Sequence, residues 1–212
     1  MNHLAERAQM CDIGRRLWQR GLVGATEGNL SLRLSSRQIL CTPTGSSLAN
    51  LKPADLVIID NHGKPVDGGI PSSEIKLHVR ILAKRPDCQA VVHAHPPTAT
   101  AFALAGEDIP DNLMPEAAYV LGSVATMPFA MPGTNDVPDA IEPLLEDHKT
   151  FLMSHHGAVV MGKSLEDAFN RMETLERIAN VILRAKQIGT PRPMPDKVFD
   201  LMRKIALHGR LD

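Results

Sequence analysis

The chain has 212 residues, of which 43% are hydrophobic, and a formal net charge of -1. That length can bury one sizeable core, so a single domain over residues 1–212 is expected. The balanced charge leaves no basic footprint for nucleic acid or an anionic membrane surface, and no apolar run approaches a membrane span.

Three scattered cysteines, Cys11, Cys41 and Cys88, form no CxxC pair. They predict reduced thiols in a cytoplasmic protein and leave histidine as the available metal ligand. The N-terminal Met-Asn-His-Leu-Ala-Glu-Arg is too polar for a signal peptide.

Leu4 to Arg20 has helical periodicity and stops at Gly21. Leu30, Leu32 and Leu34 alternate with Ser31, Arg33 and Ser35, which predicts a strand. Gly28-Asn29 at its mouth is either a plain turn or a place where backbone approaches a ligand. Gln38–Thr42 reads as a second strand, running into Pro43-Thr44-Gly45-Ser46-Ser47. That loop offers hydroxyl and amide donors suited to an anion, although such clusters are usually only loops.

Leu56–Asp60 reads as a buried strand closed by a turn over residues 61–65, with His62 on the surface. Ser72 or Ser73 can cap a helix that begins near Glu74 and runs through Ile75, Leu77, His78, Ile81 and Leu82. The same Ser-Ser-Glu can instead be an anion site at a helix N-terminus beside a proton-transferring carboxylate. His78 reads as structural.

Ala90–His95 follows as a strand. His93 and His95 are two apart, so both imidazoles face one side of it. A catalytic zinc uses three protein ligands and keeps a fourth position open. The pair therefore needs a third ligand, and otherwise reads as two half-buried histidines. Thr98–Ala105 is expected to be a helix, Leu121–Met127 a strand, residues 129–134 a loop and Asp139–His148 a helix. Thr150–Met161 reads as two adjoining strands, or one with a bulge, presenting histidine at the bend. Ser164 caps a long amphipathic helix reaching about Lys186, and a charged tail with one short helix follows.

The blocks Gly28-Asn29-Leu30-Ser31, Thr42-Pro43-Thr44-Gly45, Pro71-Ser72-Ser73-Glu74, His93-Ala94-His95 and His156-Gly157, in this order, resemble the class II aldolase/adducin family, and within it the L-fuculose-1-phosphate aldolases. The resemblance covers about residues 5 to 190. It implies an α/β fold: three α/β/α layers around a central, mostly antiparallel sheet. It implies a Zn²⁺ on His93, His95 and His156, with Mn²⁺ or Co²⁺ as substitutes. His155 competes for the third place, and His156 is preferred because it directly precedes the glycine. Phosphate would lie against Gly28, Asn29, Thr44, Gly45, Ser72 and Ser73. Glu74 would be the catalytic carboxylate, with a pKa near neutral.

The implied function is a zinc-dependent aldolase, an aldehyde-lyase. It would cleave a ketose 1-phosphate to dihydroxyacetone phosphate and an aldehyde through a metal-stabilised enediolate. The alternatives are a 3-oxo-tetronate 4-phosphate decarboxylase, a pentulose-phosphate 4-epimerase or a methylthioribulose-phosphate dehydratase. The partners implied are a small phosphorylated sugar and three further copies, in a homotetramer with interfacial active sites. The chain departs from the fuculose-phosphate enzymes in the aldehyde half of the site. Their proton-donor tyrosine aligns with Met114, and a phenylalanine wall aligns with Pro132. Tyr119 and Glu116 are the nearby polar groups.

Overall fold

The computed structural model describes residues 2–208. Helix α1 (Leu4–Gln19) leads into strands β1 (Asn29–Arg33), β2 (Gln38–Cys41), β3 (Val57–Asp60) and β4 (Pro65–Asp67). Helix α2 (Ile75–Lys84), β5 (Ala90–Ala94), α3 (Pro97–Ala105), β6 (Val124–Met127) and α4 (Asp136–Ile141) follow. The chain then forms β7 (Thr150–Met153), β8 (Gly157–Gly162), α5 (Leu165–Ile188) and α6 (Asp196–His208).

The strands join one sheet in the order β4-β3-β2-β1-β5-β8-β7-β6. Every pair is antiparallel except β6 with β7. The architecture is therefore α/β with a central, mostly antiparallel sheet. No described helix is long and apolar enough to cross a membrane.

Alternation along the strands builds two cores, because successive side chains leave opposite faces of a sheet. Leu40, Ile58, Ala90, Val92, Leu152, Ala158 and Val160 pack under α1, α3 and α5. Ile39, Val57, Ile59, Val91, Phe151, Val159 and Met161 pack under α2 and α4. The odd-numbered positions of β5 thus face α2, and His93 shares that side with Val91. Asn29 pairs with His93 and Ser31 with Val91 across β1 and β5, which turns both polar side chains to the same face.

Three local expectations change. The strand expected over Leu121–Met127 is only Val124–Met127, because Ala117–Leu121 winds into a π-helical turn that buries Ala117, Ala118 and Leu121. Gly122, at φ 66, ends that turn in the left-handed region that suits glycine. The helix expected over Asp139–His148 starts earlier, at Asp136, and gives way after Ile141 to a 3₁₀ turn over Glu142–Leu144. Pro143 lacks the N–H that an α-helix needs there. Finally, Pro65 opens the short exposed edge strand β4 rather than closing a turn. An edge position tolerates a residue that cannot donate to the ladder.

Candidate metal centre

Three imidazoles meet at one point. The possible ligand atoms of His93, His95 and His156 all lie within 4.8 Å of one another. Their ring centroids are 4.8–5.0 Å apart. His93 is fully buried inside the sheet and His95 continues just beyond β5. His156 arrives from the turn between β7 and β8, so Thr150–Met161 is a hairpin with histidine at its bend.

His155, at φ 58, takes the left-handed conformation that lets this short turn close. It is exposed, its ring near Phe129 at 6.1 Å, and it stands outside the cluster. Gly157 makes room for the rings. A Cβ there would stand 2.5 Å from the Ala94 carbonyl oxygen and 2.8 Å from His95 Cδ2.

The donors and acceptors of this cluster suit a cation. His93 Nδ1–H donates to the Ala158 carbonyl at 3.0 Å, which turns Nε2 into the cluster. His95 Nε2 is 3.2 Å from that nitrogen, and Glu74 Oε2 is also 3.2 Å from it. Lone pairs converging this closely repel unless a proton or a metal ion sits among them.

Protonation is disfavoured at two of the three rings. Burial, then the charges of His93 and His156, pushes His95 down to about 4. Burial, then His93, also lowers His156. Neutral imidazoles are the form that binds metal. Glu74 Oε1 is buried without a hydrogen-bond partner, 3.5 Å from His156 Nε2. Three converging imidazoles, an unpartnered carboxylate oxygen and an open side fit a divalent ion such as zinc.

Glu74 stands at the N-cap position of α2 and makes no side-chain cap hydrogen bond, so helix capping does not account for it. Burial pushes its carboxyl up. The hydrogen bond and charge of His93 and the Asn29 amide, 2.8 Å from Oε2, outweigh this and hold it below the usual carboxylate range. A pKa near neutral is therefore not what the structure provides. Ser72, expected as a possible cap, accepts weakly from the Glu74 N–H at 3.3 Å.

Beside the triad lies a cavity of about 190 Å³ lined by Thr26, Glu27, Gly28, Asn29, Pro43, Thr44, Gly45, Ser72, Ser73, Glu74, His95 and His156. Two hydrogen bonds stitch its walls together, Thr44 N–H to the Ile70 carbonyl at 3.0 Å and Ser72 N–H to the Thr42 carbonyl at 3.1 Å. These bring the 42–45 loop against the start of α2. The lining holds hydroxyls and backbone amides but neither lysine nor arginine. Gly28 lets the chain pass close over β5. A Cβ there would lie 2.8 Å from the His93 carbonyl oxygen, and φ is 75.

All six residues expected to face phosphate line this cavity. Asn29, however, is only 5% exposed and its amide is already engaged by His78 and Glu74. Glu27, unremarked in the sequence, also lines the cavity. Its Oε2 accepts from Gly24 N–H at 2.8 Å, and its Oε1 is 3.8 Å from His95 Nδ1. Tyr119 and Glu116 do not line it. Tyr119 borders a separate cavity with Arg171 and Arg203.

The sequence profile of the Class II Aldolase and Adducin N-terminal domain matches residues 8–183. The chain is 38% identical over 180 residues to the 3-oxo-tetronate 4-phosphate decarboxylase of Escherichia coli (strain K12), covering 83% of this chain and 85% of the relative. It is 33% identical over 209 residues to the 5-methylthioribulose-1-phosphate/5-deoxyribulose-1-phosphate aldolase of Rhodospirillum rubrum, covering 98% and 94%. A solved structure of L-fuculose 1-phosphate aldolase superposes with a TM-score of 0.89 at 29% identity, covering 96% of this chain and 97% of that one.

Proposed function

Because this chain belongs to the class II aldolase/adducin family of enzymes, we propose that it decarboxylates a 3-oxo-tetronate 4-phosphate with the help of a divalent metal, by preference Zn²⁺. The observation that carries this reading is the 38% identity to a decarboxylase over most of both chains. The aldolase that the family resemblance put first moves behind it. That reading keeps support from the R. rubrum aldolase, which is similar over nearly the whole chain at 33% identity.

The site suits the reaction. A 3-oxo acid loses CO₂ when its C1–C2 bond breaks and the electron pair passes into the neighbouring carbonyl as an enediolate. A proton then returns to C2, giving dihydroxyacetone phosphate. A divalent ion on His93, His95 and His156 would act as a Lewis acid toward the charge that develops on oxygen.

The chain supplies the remaining functions. The Thr44, Ser72 and Ser73 hydroxyls, with the backbone at Gly28 and Gly45, hold the phosphate through neutral donors. Binding energy at that remote group positions the reacting carbons. Glu74 is ionised and next to the triad, and we assign it the proton relay: it takes a proton from water and passes it to C2. Neither Tyr119 nor Glu116 lines this cavity. Assembly as a homotetramer with interfacial sites is part of the proposal. Exposed Phe129 and Met131, on the loop after β6, support it.

The test offers the metal-loaded protein 3-oxo-tetronate 4-phosphates and ketose 1-phosphates side by side. CO₂ release from the first group, with dihydroxyacetone phosphate as co-product, is expected. Aldehyde release from the second group, with no CO₂ from the first, would restore the aldolase.

A further inference from the structure

One buried group plays no part in the reaction as described. His78, one helical turn after Glu74 on α2, is 1% exposed. Its Nδ1 lies 2.7 Å from the Ser31 hydroxyl and its Nε2 lies 2.5 Å from Asn29 Oδ1. Asn29 in turn reaches Glu74 Oε2 through Nδ2 at 2.8 Å. Four side chains from β1 and α2 thus form one file, ending at the carboxylate.

The chemistry of the two ends fixes every proton along it. The Asn29 group facing Glu74 Oε2 is the NH₂, which donates at 2.8 Å. That leaves the amide oxygen toward His78, which must therefore donate from Nε2. A neutral imidazole protonated at Nε2 accepts at Nδ1, so Ser31 donates its hydroxyl proton there. Burial keeps the ring neutral, pushing His78 down to about 3. Each bond points the same way, toward Glu74.

We propose that Ser31, His78 and Asn29 form a one-way hydrogen-bond chain that pins Glu74 by Oε2 and reserves Oε1 as its working oxygen. Oε2 has the Asn29 amide. Oε1 is buried with no hydrogen-bond partner and faces His156 Nε2. His78 is thus a positioning residue. It prevents the Asn29 amide from flipping, and a flipped amide would set oxygen against oxygen and push Glu74 off its place. The chain also explains why Asn29 is buried at the rim of the phosphate cavity. The inference rests on the proposed reaction only where kinetics are read.

Neutron diffraction on deuterium-exchanged, zinc-loaded crystals tests the proton positions without any substrate. Deuterium is expected on His78 Nε2 and not on Nδ1, on Ser31 Oγ toward Nδ1, and on the Asn29 nitrogen facing Glu74. Deuterium on Nδ1 of His78, or an Asn29 oxygen toward Glu74, overturns the proposal.

The kinetic arm uses CO₂ release. His78→Leu should lower kcat roughly 10–100-fold, as loss of an outer-shell partner does, with zinc content unchanged. His78→Gln, whose amide can still donate to Asn29, should recover most of that loss. If His78 acts through Asn29, His78→Leu adds nothing on top of Asn29→Leu. Additive losses mean that His78 acts otherwise and the proposal fails. Should His78→Leu not fold, Ser31→Ala removes the far end of the file and must lower kcat in the same direction. If the proton positions hold and no CO₂ is released from any 3-oxo-tetronate 4-phosphate, the reaction is wrong and the hydrogen-bond chain stands.

Discussion

Replacing Gly157 by alanine adds one methyl group at the narrowest point of the site. That carbon would sit 2.5 Å from the Ala94 carbonyl oxygen, 2.8 Å from His95 Cδ2 and 3.4 Å from His93 Cε1. The His95 ring can rotate away, but the Ala94 oxygen is backbone, held where β5 pairs with β8 at Ala94–Ala158. Reaching ordinary contact at about 3.4 Å moves the strands apart by about 0.9 Å, beyond the roughly 0.5 Å that a metal constellation tolerates. Overpacking of this kind costs about 1–3 kcal/mol, and each kcal/mol lowers Tm by about 2–4 °C in a chain of this size.

Metal affinity should fall further than stability does, because the displaced strand end carries His95 and the neighbouring turn carries His156. The assays are thermal unfolding of the metal-free protein and a competition titration with a fluorescent zinc chelator. A variant with an unshifted Tm and the parent zinc affinity would refute the steric reasoning. A shifted Tm with unchanged affinity would separate the glycine from the metal site.

Elemental analysis should find the metal lost in His156→Ala and retained in His155→Ala, since only His156 faces the other two rings. Glu74→Gln should keep the fold and metal and lower turnover by roughly 10²–10⁴-fold, the usual cost of removing an acid–base group; near-normal turnover would reassign it. Ser73→Asp should raise KM for phosphorylated substrates through like-charge repulsion without changing metal content. His78 and His95, lowered to about 3 and about 4, take up protons in the unfolded chain before they do so in the native one. Stability of the metal-free protein should therefore be full above about pH 6.5 and decline as pH falls toward 4, by up to about 1.4 kcal/mol per pH unit for each ring. Denaturant midpoints at pH 7.5 and 5.0 measure this, and a flat profile would contradict the burial of His78.

Much of this was legible because periodicity and burial agree. The Leu30, Leu32 alternation placed β1. By the same parity it put Asn29 and Ser31 on one face, a consequence that becomes visible only when β5 and α2 are known to cover it. Glu74 and His78 are four apart on α2 and so share a face, yet nothing local says that this face meets Asn29. Glu27 carries no spacing signal, because its place depends on how residues 24–28 turn over β5. The π-helical turn at Ala117–Leu121 hid behind an apolar run that fits a strand equally well. The choice between decarboxylation and aldol cleavage was not legible, because both use the same metal and phosphate half.

The file of hydrogen bonds and the triad join positions far apart in the chain. Asn29 meets Glu74 across 45 residues, and His93 meets Ala158 across 65. Such contacts need long loops to close before they contribute anything. No partly folded intermediate lacking the β1–β5 or β5–β8 pairing has the ligands in place, so tight metal capture should coincide with the last cooperative step. During refolding, zinc uptake would then follow the appearance of the native sheet rather than precede it. Excess metal would stabilise the finished protein by mass action without speeding its formation.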